Sequence, residues 1–376
     1  MDALRFMVST MIRLEHLSKV YGSVAAVTDM TLEIPDGSIC VLIGPSGCGK
    51  TTTLRMVNRL VEPTCGNVFI NGKNTRSYRS DQLRRTIGYS IQNVGLFPHM
   101  TVRDNIGIVP SLLHWDKHRI SARCEELLAL VGLSAQGMAD KYPHELSGGE
   151  AQRVGVARSL AADPPILLMD EPFGAVDPLT RERLQTQFMR IQQKLRKTVI
   201  FVTHDLDEAI RLADRLAIME AGHLVQYDSP EKVLSRPASK FVRDFVGTDR
   251  ALKRLSRIGV TTFLRPAVSV PVDANTAQAL RGRERYRWFW VVDDRSRLLG
   301  WADRDDLQKS DSVREAAHFA PPGEIALESD ATLREALSRM LGLGFKYLPV
   351  VNEEGVLKGE LAMGDIESAT REEDQA

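Results

Sequence analysis

The segment Gly44, Pro45, Ser46, Gly47, Cys48, Gly49, Lys50, Thr51 constrains the chain more than any other. It follows the apolar run SICVLI and opens the helical KTTTLRMVNRL, the strand–turn–helix setting that a phosphate-binding loop needs. Glycines let backbone N–H groups converge on phosphate oxygens, and the helix start adds the positive end of its dipole. In that reading Lys50 neutralises phosphate charge, the Thr51 hydroxyl ligates Mg²⁺, and Thr52 completes the nucleotide-binding set. The alternative is an ordinary glycine-rich turn.

Up to about Gly247, strands alternate with helical stretches. SICVLIG, PILLMD, KTVIFVTHD and RLAIMEAG are the strand candidates, and the first three are each followed by a helical pattern. This rhythm predicts an α/β domain with a largely parallel sheet, and residues 93 to 146 read as a helical insertion. PILLMDEP ends a buried strand in Asp170 and Glu171, delivering two carboxylates to the phosphate end of the sheet. Asp170 would hold Mg²⁺ and Glu171 would orient and deprotonate the attacking water. A DE pair at a strand end is otherwise a helix cap. In LSGGE, Ser147 and Glu150 form a capping-box pattern, and Gly148 and Gly149 leave the helix start bare for an anion. A plain helix start is the alternative there.

From about Thr262 the texture changes to an internal repeat. RWFWVVDDRSRLLGWADRDDL (287–307) aligns without gaps on KYLPVVNEEGVLKGELAMGDI (346–366), and DANTAQAL (273–280) aligns on DATLREAL (330–337). Each copy reads helix, strand, turn, strand, helix, with Gly300 matching Gly359 and Asp306 matching Asp365.

Composition removes several function classes. Lys plus Arg and Asp plus Glu both number 49, so no global positive field draws the chain to nucleic acid. Cys40, Cys48, Cys65 and Cys124 lack CxxC pairs or His partners at metal spacing, which argues against disulfides and zinc and for a reducing cytosol. No run approaches the ~18 to 20 apolar residues that cross a bilayer, so the chain is not expected to be a pore itself.

The loop, the DE strand and LSGG together resemble the nucleotide-binding subunit of an ATP-binding-cassette (ABC) transporter, over residues 12 to about 246. The resemblance implies an α/β P-loop domain with a RecA-like core, an antiparallel β subdomain and a helical subdomain, using ATP and Mg²⁺. It further implies a head-to-tail homodimer across two ATP sites. Ser147, Gly148, Gly149, Glu150 and Asp177 (in GAVDPLT) would then contact ATP in trans. Tyr21 in KVYG resembles the aromatic that stacks on adenine, with surface or core packing as its alternative. Gln92 in YSIQNVGLFPHMTV resembles the glutamine that touches Mg²⁺ and the water, and His204 the histidine at the γ-phosphate. Glu171, His204 and Gln92 form the expected catalytic set, and Thr51, Gln92 and Asp170 the metal set.

Glu150 stands where the family's signature carries Gln, placing a carboxylate near a phosphate site unless it folds back onto its own helix cap. Leu96, Phe97 and Pro98, beside Gln92, would meet a membrane subunit's cytoplasmic helix or else belong to the core. The short spacing from Gln92 to LSGG, without a coiled-coil insertion, favours an importer subunit over a nucleic-acid ATPase.

The repeat resembles a pair of cystathionine-β-synthase (CBS) motifs. A cassette followed by such a pair resembles the ATPase subunits of importers for quaternary amines such as glycine betaine, proline betaine, choline or carnitine. That implies membrane permease subunits, an extracytoplasmic substrate-binding protein, no nucleic acid, and a peripheral place on the cytoplasmic face of the inner membrane. An importer of another solute, such as a sugar or polyamine, or a non-transport ABC ATPase, is the alternative. Nucleotide-binding CBS motifs place a Thr or Ser three residues before the aspartate, whereas this chain has Asp303 and Ala362 there. A degenerate cleft follows, or else Asp306 and Asp365 merely cap helices. The expected domains are 1–246 for the cassette, 247–262 for a linker and 263–376 for a tandem CBS α+β domain.

Overall fold

The four apolar runs become the strands Ile39–Ile43, Ile166–Asp170, Thr198–Val202 and Arg215–Glu220 in a computed structural model that describes residues 10–91, 95–174 and 176–371. With Ile87–Ser90 and His223–Asp228 they form a six-stranded sheet. Its order is His223–Asp228, Arg215–Glu220, Ile39–Ile43, Thr198–Val202, Ile166–Asp170, Ile87–Ser90. Neighbours are parallel except at the His223–Asp228 edge.

Every residue of Ile39–Ile43, Ile166–Asp170 and Thr198–Val202 is buried, as a parallel sheet covered on both faces requires. Successive side chains alternate between two cores. Val41, Leu167, Met169, Val199 and Phe201 pack with Val102, Ile106, Leu127 and Val154 from the helices Val102–Leu112, Lys117–Leu130 and Gly148–Leu160. Leu42, Leu168, Ile200 and Val202 pack instead with Leu54 and Met56 of helix Lys50–Val57 and with Ile12, Leu14, Met30 and Leu32. The last four belong to a second, antiparallel sheet ordered Val24–Pro35, Thr10–Tyr21, Cys65–Ile70, Lys73–Asn74.

The chain divides after Gly247 into two units. Of the expected linker 247–262, residues 248–262 are built into the second unit. They form the helix Arg250–Leu255 and the short 3₁₀ turn Val260–Phe263, and Leu255 and Val260 are buried in that unit's core.

The repeat folds twice in the same register. In the first copy Trp288 pairs with Asp303 and Val291 with Gly300; in the second Tyr347 pairs with Ala362 and Val350 with Gly359. Both hairpins carry their irregularity at the same step, and both receive a short parallel strand, Ser269–Pro271 or Leu327–Glu328, on the first hairpin strand. The copies meet at equivalent residues. Leu298 N donates to Gly355 O at 3.0 Å and Leu357 N donates to Ser296 O at 2.9 Å, around a bridge between Arg297 and Val356. That reciprocity is the signature of a pseudo-two-fold axis.

Gly300 and Gly359 are the close-approach points of the two halves. A Cβ on Gly300 would lie 2.0 Å from His318 O, and one on Gly359 would lie 2.5 Å from Arg265 O. The obstacle is backbone in both cases, so relief requires strand movement. Gly300→Ala and Gly359→Ala should each destabilise the second unit by ~1–3 kcal/mol. Calorimetry of the full chain should show its transition lowered with that of the first unit unmoved. An unshifted transition would contradict the close approach.

Candidate nucleotide site

Parallel strands end together, so Ile39–Ile43, Ile166–Asp170 and Thr198–Val202 deliver their following residues to one edge. Asp170 pairs in register with Val202, and Leu42 pairs with the same residue from the other side. The glycine-rich loop wraps this edge. Gly44, Gly47 and Gly49 all have positive φ (153°, 80° and 103°). A Cβ at Gly44 would lie 2.1 Å from Met219 O, and one at Gly49 would lie 2.3 Å from Ala26 O. Glycine is therefore required here by conformation and by space.

Gly49 caps helix Lys50–Val57 with no side-chain hydrogen bond, leaving first-turn N–H groups for a ligand. The Lys50 ammonium donates to Gly44 O at 2.7 Å and Pro45 O at 2.9 Å, and Cys48 Sγ lies 3.6 Å away. The lysine is 7% exposed, its charge held against loop carbonyls at the cradle. Ser46 is exposed, and Thr52 is half-buried in the first helical turn.

Thr51 Oγ1 donates to Asp170 Oδ1 at 3.0 Å. Burial raises the Asp170 carboxyl above the usual range, while the Thr51 hydroxyl, Arg55 and Lys50 oppose that rise. A hydroxyl and a carboxylate in contact beside a phosphate cradle fit a hard divalent cation. No group of three or more His, Cys, Asp or Glu side chains among the described residues could hold a metal alone, so phosphate oxygens would complete its shell.

Glu171 leaves the strand with φ 48°, in the left-handed region that ordinary residues avoid, and its N–H donates to Val202 O at 2.9 Å. That turn sets Glu171 Oε1 3.2 Å from His204 Nδ1. Glu171 is 20% exposed and His204 64%, so the pair opens to solvent from a half-buried carboxylate. Gln92, the third expected catalytic residue, lies outside the described residues.

The helix Gly148–Leu160 starts at Ser147 with a complete capping box. Ser147 Oγ accepts from Glu150 N at 3.3 Å, and Glu150 Oε2 accepts from Ser147 N at 2.8 Å and from its hydroxyl at 2.9 Å. These bonds hold Glu150 below the usual carboxylate range. The departure from Gln at this position thus folds back as a cap, and Gly148 and Gly149 present an open start. Asp177 caps helix Pro178–Leu195 by accepting from Thr180 N at 3.0 Å. Tyr21 is 48% exposed at a strand end with the Lys19 ammonium 4.9 Å above its ring, an accessible stacking face. The Ser147 side chain is engaged within its own capping box rather than with the phosphate loop of the same subunit.

Leu96, Phe97 and Pro98 separate: Leu96 packs on the core, whereas Phe97 and Pro98 are exposed. Phe97 lines a cleft of about 450 Å³ with Arg84, Arg85, Tyr89, Ile108, Val109 and Arg158. A residue that sequence reasoning did not single out holds this rim. Fully buried Asn105 accepts from Phe97 N at 2.8 Å and donates to the carbonyls of Phe97, Met100 and Thr101 at 3.2, 3.1 and 3.0 Å. An Asn on the apolar face of MTVRDNIGIV was the available signal.

In the second unit the two aspartates of the CBS-like repeat, Asp306 and Asp365, are already engaged. Asp365 accepts from Ala362 N at 3.0 Å and pairs with Arg265. Asp306 contacts His318 Nε2 at 3.0 Å, and Asp303 caps helix Arg304–Lys309 through Asp305 N at 2.7 Å.

A profile of the ABC transporter family matches residues 27–174, and a profile of the CBS domain matches residues 322–372. Along its length the chain is 44% identical to the osmoprotectant import ATP-binding protein OsmV of Salmonella typhimurium, covering 94% of both chains. It is 44% identical to the glycine betaine/carnitine/choline transport ATP-binding protein OpuCA of Bacillus subtilis, covering 93% of both. Among solved structures it resembles the dimeric, post-hydrolysis ATP-binding cassette MJ0796 bound to ADP and Pi. That likeness has a TM-score of 0.55 at 32% identity and covers 58% of this chain and 98% of that one.

The Thr51–Asp170 contact carries a pH signature. A carboxyl whose folded pKa lies above its unfolded value is penalised in folding when ionised, and the penalty fades as pH falls through the raised pKa. Thr51→Val removes the donor that eases the ionised form. Stability should fall by ~1–3 kcal/mol near pH 7, with a smaller deficit near pH 4. Urea unfolding of the full chain at both pH values measures this, and an equal deficit at both would count against the assignment.

Proposed function

Because the chain belongs to the family of ABC transporter ATP-binding proteins, we propose that its ATP hydrolysis drives uptake of quaternary-amine osmoprotectants, of the glycine betaine, choline and carnitine type, through partner membrane subunits. The observation that carries the reading is the convergence of the phosphate loop, the Thr51–Asp170 contact and the Glu171–His204 pair at one sheet edge.

Each residue has a role that follows from its place. First-turn N–H groups and Lys50 bind the β- and γ-phosphates, and Tyr21 stacks on the adenine. Thr51, Asp170 and Gln92 would hold Mg²⁺, which would supply charge neutralisation to the phosphates. Glu171 takes a proton from water as its oxygen attacks the γ-phosphorus and the bond to the ADP oxygen breaks; His204 orients the γ-phosphate. Ser147, Gly148, Gly149, Glu150 and Asp177 complete the site of a second copy across a homodimer. The open helix start behind the Ser147 capping box supports that arrangement.

The chain has no described helix long and apolar enough to cross a membrane, so permease subunits supply the path. The cleft at Phe97 and Arg158 suits a short amphipathic helix from such a subunit, which supports a peripheral seat on the cytoplasmic face of the inner membrane. An extracytoplasmic binding protein would capture the solute, and nucleic acid has no part. The second unit, read as a tandem CBS module behind a cassette of residues 1–246, acts as a regulator.

Glu171→Gln should keep ATP binding within about twofold while turnover falls at least ~10²-fold, and an ATP-dependent dimer should accumulate. Lys50→Ala should instead weaken ATP binding. Reconstituted with its permease and binding protein, the parent chain should hydrolyse ATP faster when a quaternary amine is supplied. Normal turnover in the Glu171 variant would remove the base assignment, and full coupling to a permease without quaternary-amine specificity would remove the substrate class.

Because the Arg265 and His318 contacts occupy Asp365 and Asp306, AMP should bind the second unit weakly. Calorimetry on full-length Lys50→Ala, which silences the cassette, should find no site tighter than millimolar. Micromolar affinity would contradict a filled cleft.

A further inference from the structure

A closed circuit of contacts runs through the hydrolytic pair and returns by way of Arg181. Glu171 Oε1 lies 3.2 Å from His204 Nδ1. After Glu171 the chain makes two turns, with Gly174 N donating to Glu171 O at 3.1 Å and Val176 N to Phe173 O at 3.2 Å. The Val176 carbonyl, one residue before Asp177, accepts from Arg181 Nη2 at 3.0 Å. Arg181 Nη1 lies 3.7 Å from Asp205 Oδ2, and Asp205 directly follows His204. The other oxygen of Asp205 accepts from Asp207 N at 2.9 Å and Glu208 N at 3.1 Å, so the carboxylate is fixed on the start of helix Leu206–Leu212.

The surroundings make this circuit stiff. One turn beyond Arg181, Gln185 donates to buried Glu208 at 3.0 Å, and Arg211 donates to Thr186 at 3.0 Å and Glu182 at 3.3 Å. These bonds clamp helix Pro178–Leu195 to helix Leu206–Leu212 and leave the guanidinium of Arg181 with one arm on a fixed frame. Its other arm holds a loop carbonyl. The planar guanidinium makes the two contacts from separate nitrogens held in one rigid fork, a preorganisation that an ammonium lacks.

We propose that Arg181 is a positioning residue that couples the Asp177 loop to the Glu171–His204 pair of the same subunit. This rests on the proposed function, in which Asp177 meets the second subunit and Glu171 handles the water proton. Displacement of the loop by a docked partner is transmitted through Arg181 to the His204 turn, so the pair is aligned for reaction when the dimer closes. ATP binding to one subunit does not need the contact; hydrolysis and its cooperativity do.

The test is steady-state ATP hydrolysis by the full-length chain together with nucleotide titration in the absence of divalent cation. Arg181→Ala should lower kcat ~10-fold or more and bring the Hill coefficient for ATP toward 1, while the dissociation constant for ATP stays within about twofold. Arg181→Lys should recover part of kcat. Asp205→Asn keeps the helix cap and loses the charge, so Arg181→Ala should cost little more in that background than Asp205→Asn alone. Should Arg181→Ala not fold, Arg181→Lys in the same cycle with Asp205→Asn reads the coupling in its place. Unchanged kcat and Hill coefficient, additive losses in the cycle, or an equal loss of ATP affinity would each overturn the proposal. A parent chain without ATP turnover would instead sink the functional reading, which separates the two failures.

Discussion

Register in the parallel sheet is the constraint on which the site depends. Val202 pairs with Leu42 on one side and Asp170 on the other, so the strand ends coincide and the residues leaving each strand must share one edge. A slip of one residue would exchange the two buried faces of a strand whose every side chain is covered. The wholly apolar strands therefore do two things at once. They drive burial, and they bring Lys50, Glu171 and His204 to the edge at which Asp170 ends its own strand.

Much of this edge was legible because a glycine-rich loop and strand-end carboxylates need particular residues at fixed spacing. Gly44 and Gly49 of the phosphate loop are demanded by positive φ and by carbonyls within 2.3 Å of an added Cβ, Gly47 by positive φ alone, and such demands leave a written pattern. The four central strands and their helices follow from apolar runs bounded by turns. The strand Ile87–Ser90 did not, because IGYS is short and carries glycine. Nor did the long pairing of Thr10–Tyr21 with Val24–Pro35, whose several register shifts blur the alternation that marks a strand. Contacts made by ordinary polar residues were equally invisible. Asn105 and Arg181 act through backbone carbonyls, and a carbonyl leaves no trace in the sequence. The segment 248–262 misled because its basic, helical composition suits a linker as well as a core element, and only the burial of Leu255 and Val260 decides between them.

Polar side chains that hold loops recur wherever this chain must present a surface. Asn105 commits its whole amide to the Phe97–Thr101 loop, and Glu150 commits its carboxylate to Ser147. In each case a group that would otherwise need solvent is satisfied locally, so the adjacent exposed residues, Phe97 or Gly148 and Gly149, are offered in a fixed geometry. Rigid presentation lowers the ordering cost of association. The same advantage would apply to any partner that docks at either of these surfaces.

The reciprocal seam of the second unit, Leu298 to Gly355 and Leu357 to Ser296, is the kind of contact two separate copies of one half would make. Tethering has turned that encounter into an intramolecular one, whose effective concentration is of order millimolar for short linkers whatever the abundance of the protein. Association no longer limits how far the halves can drift apart in sequence. The charged RGRERY of one half opposite the apolar SRMLGLGF of the other is the visible result, an ancestral symmetry kept in the backbone and released in the side chains.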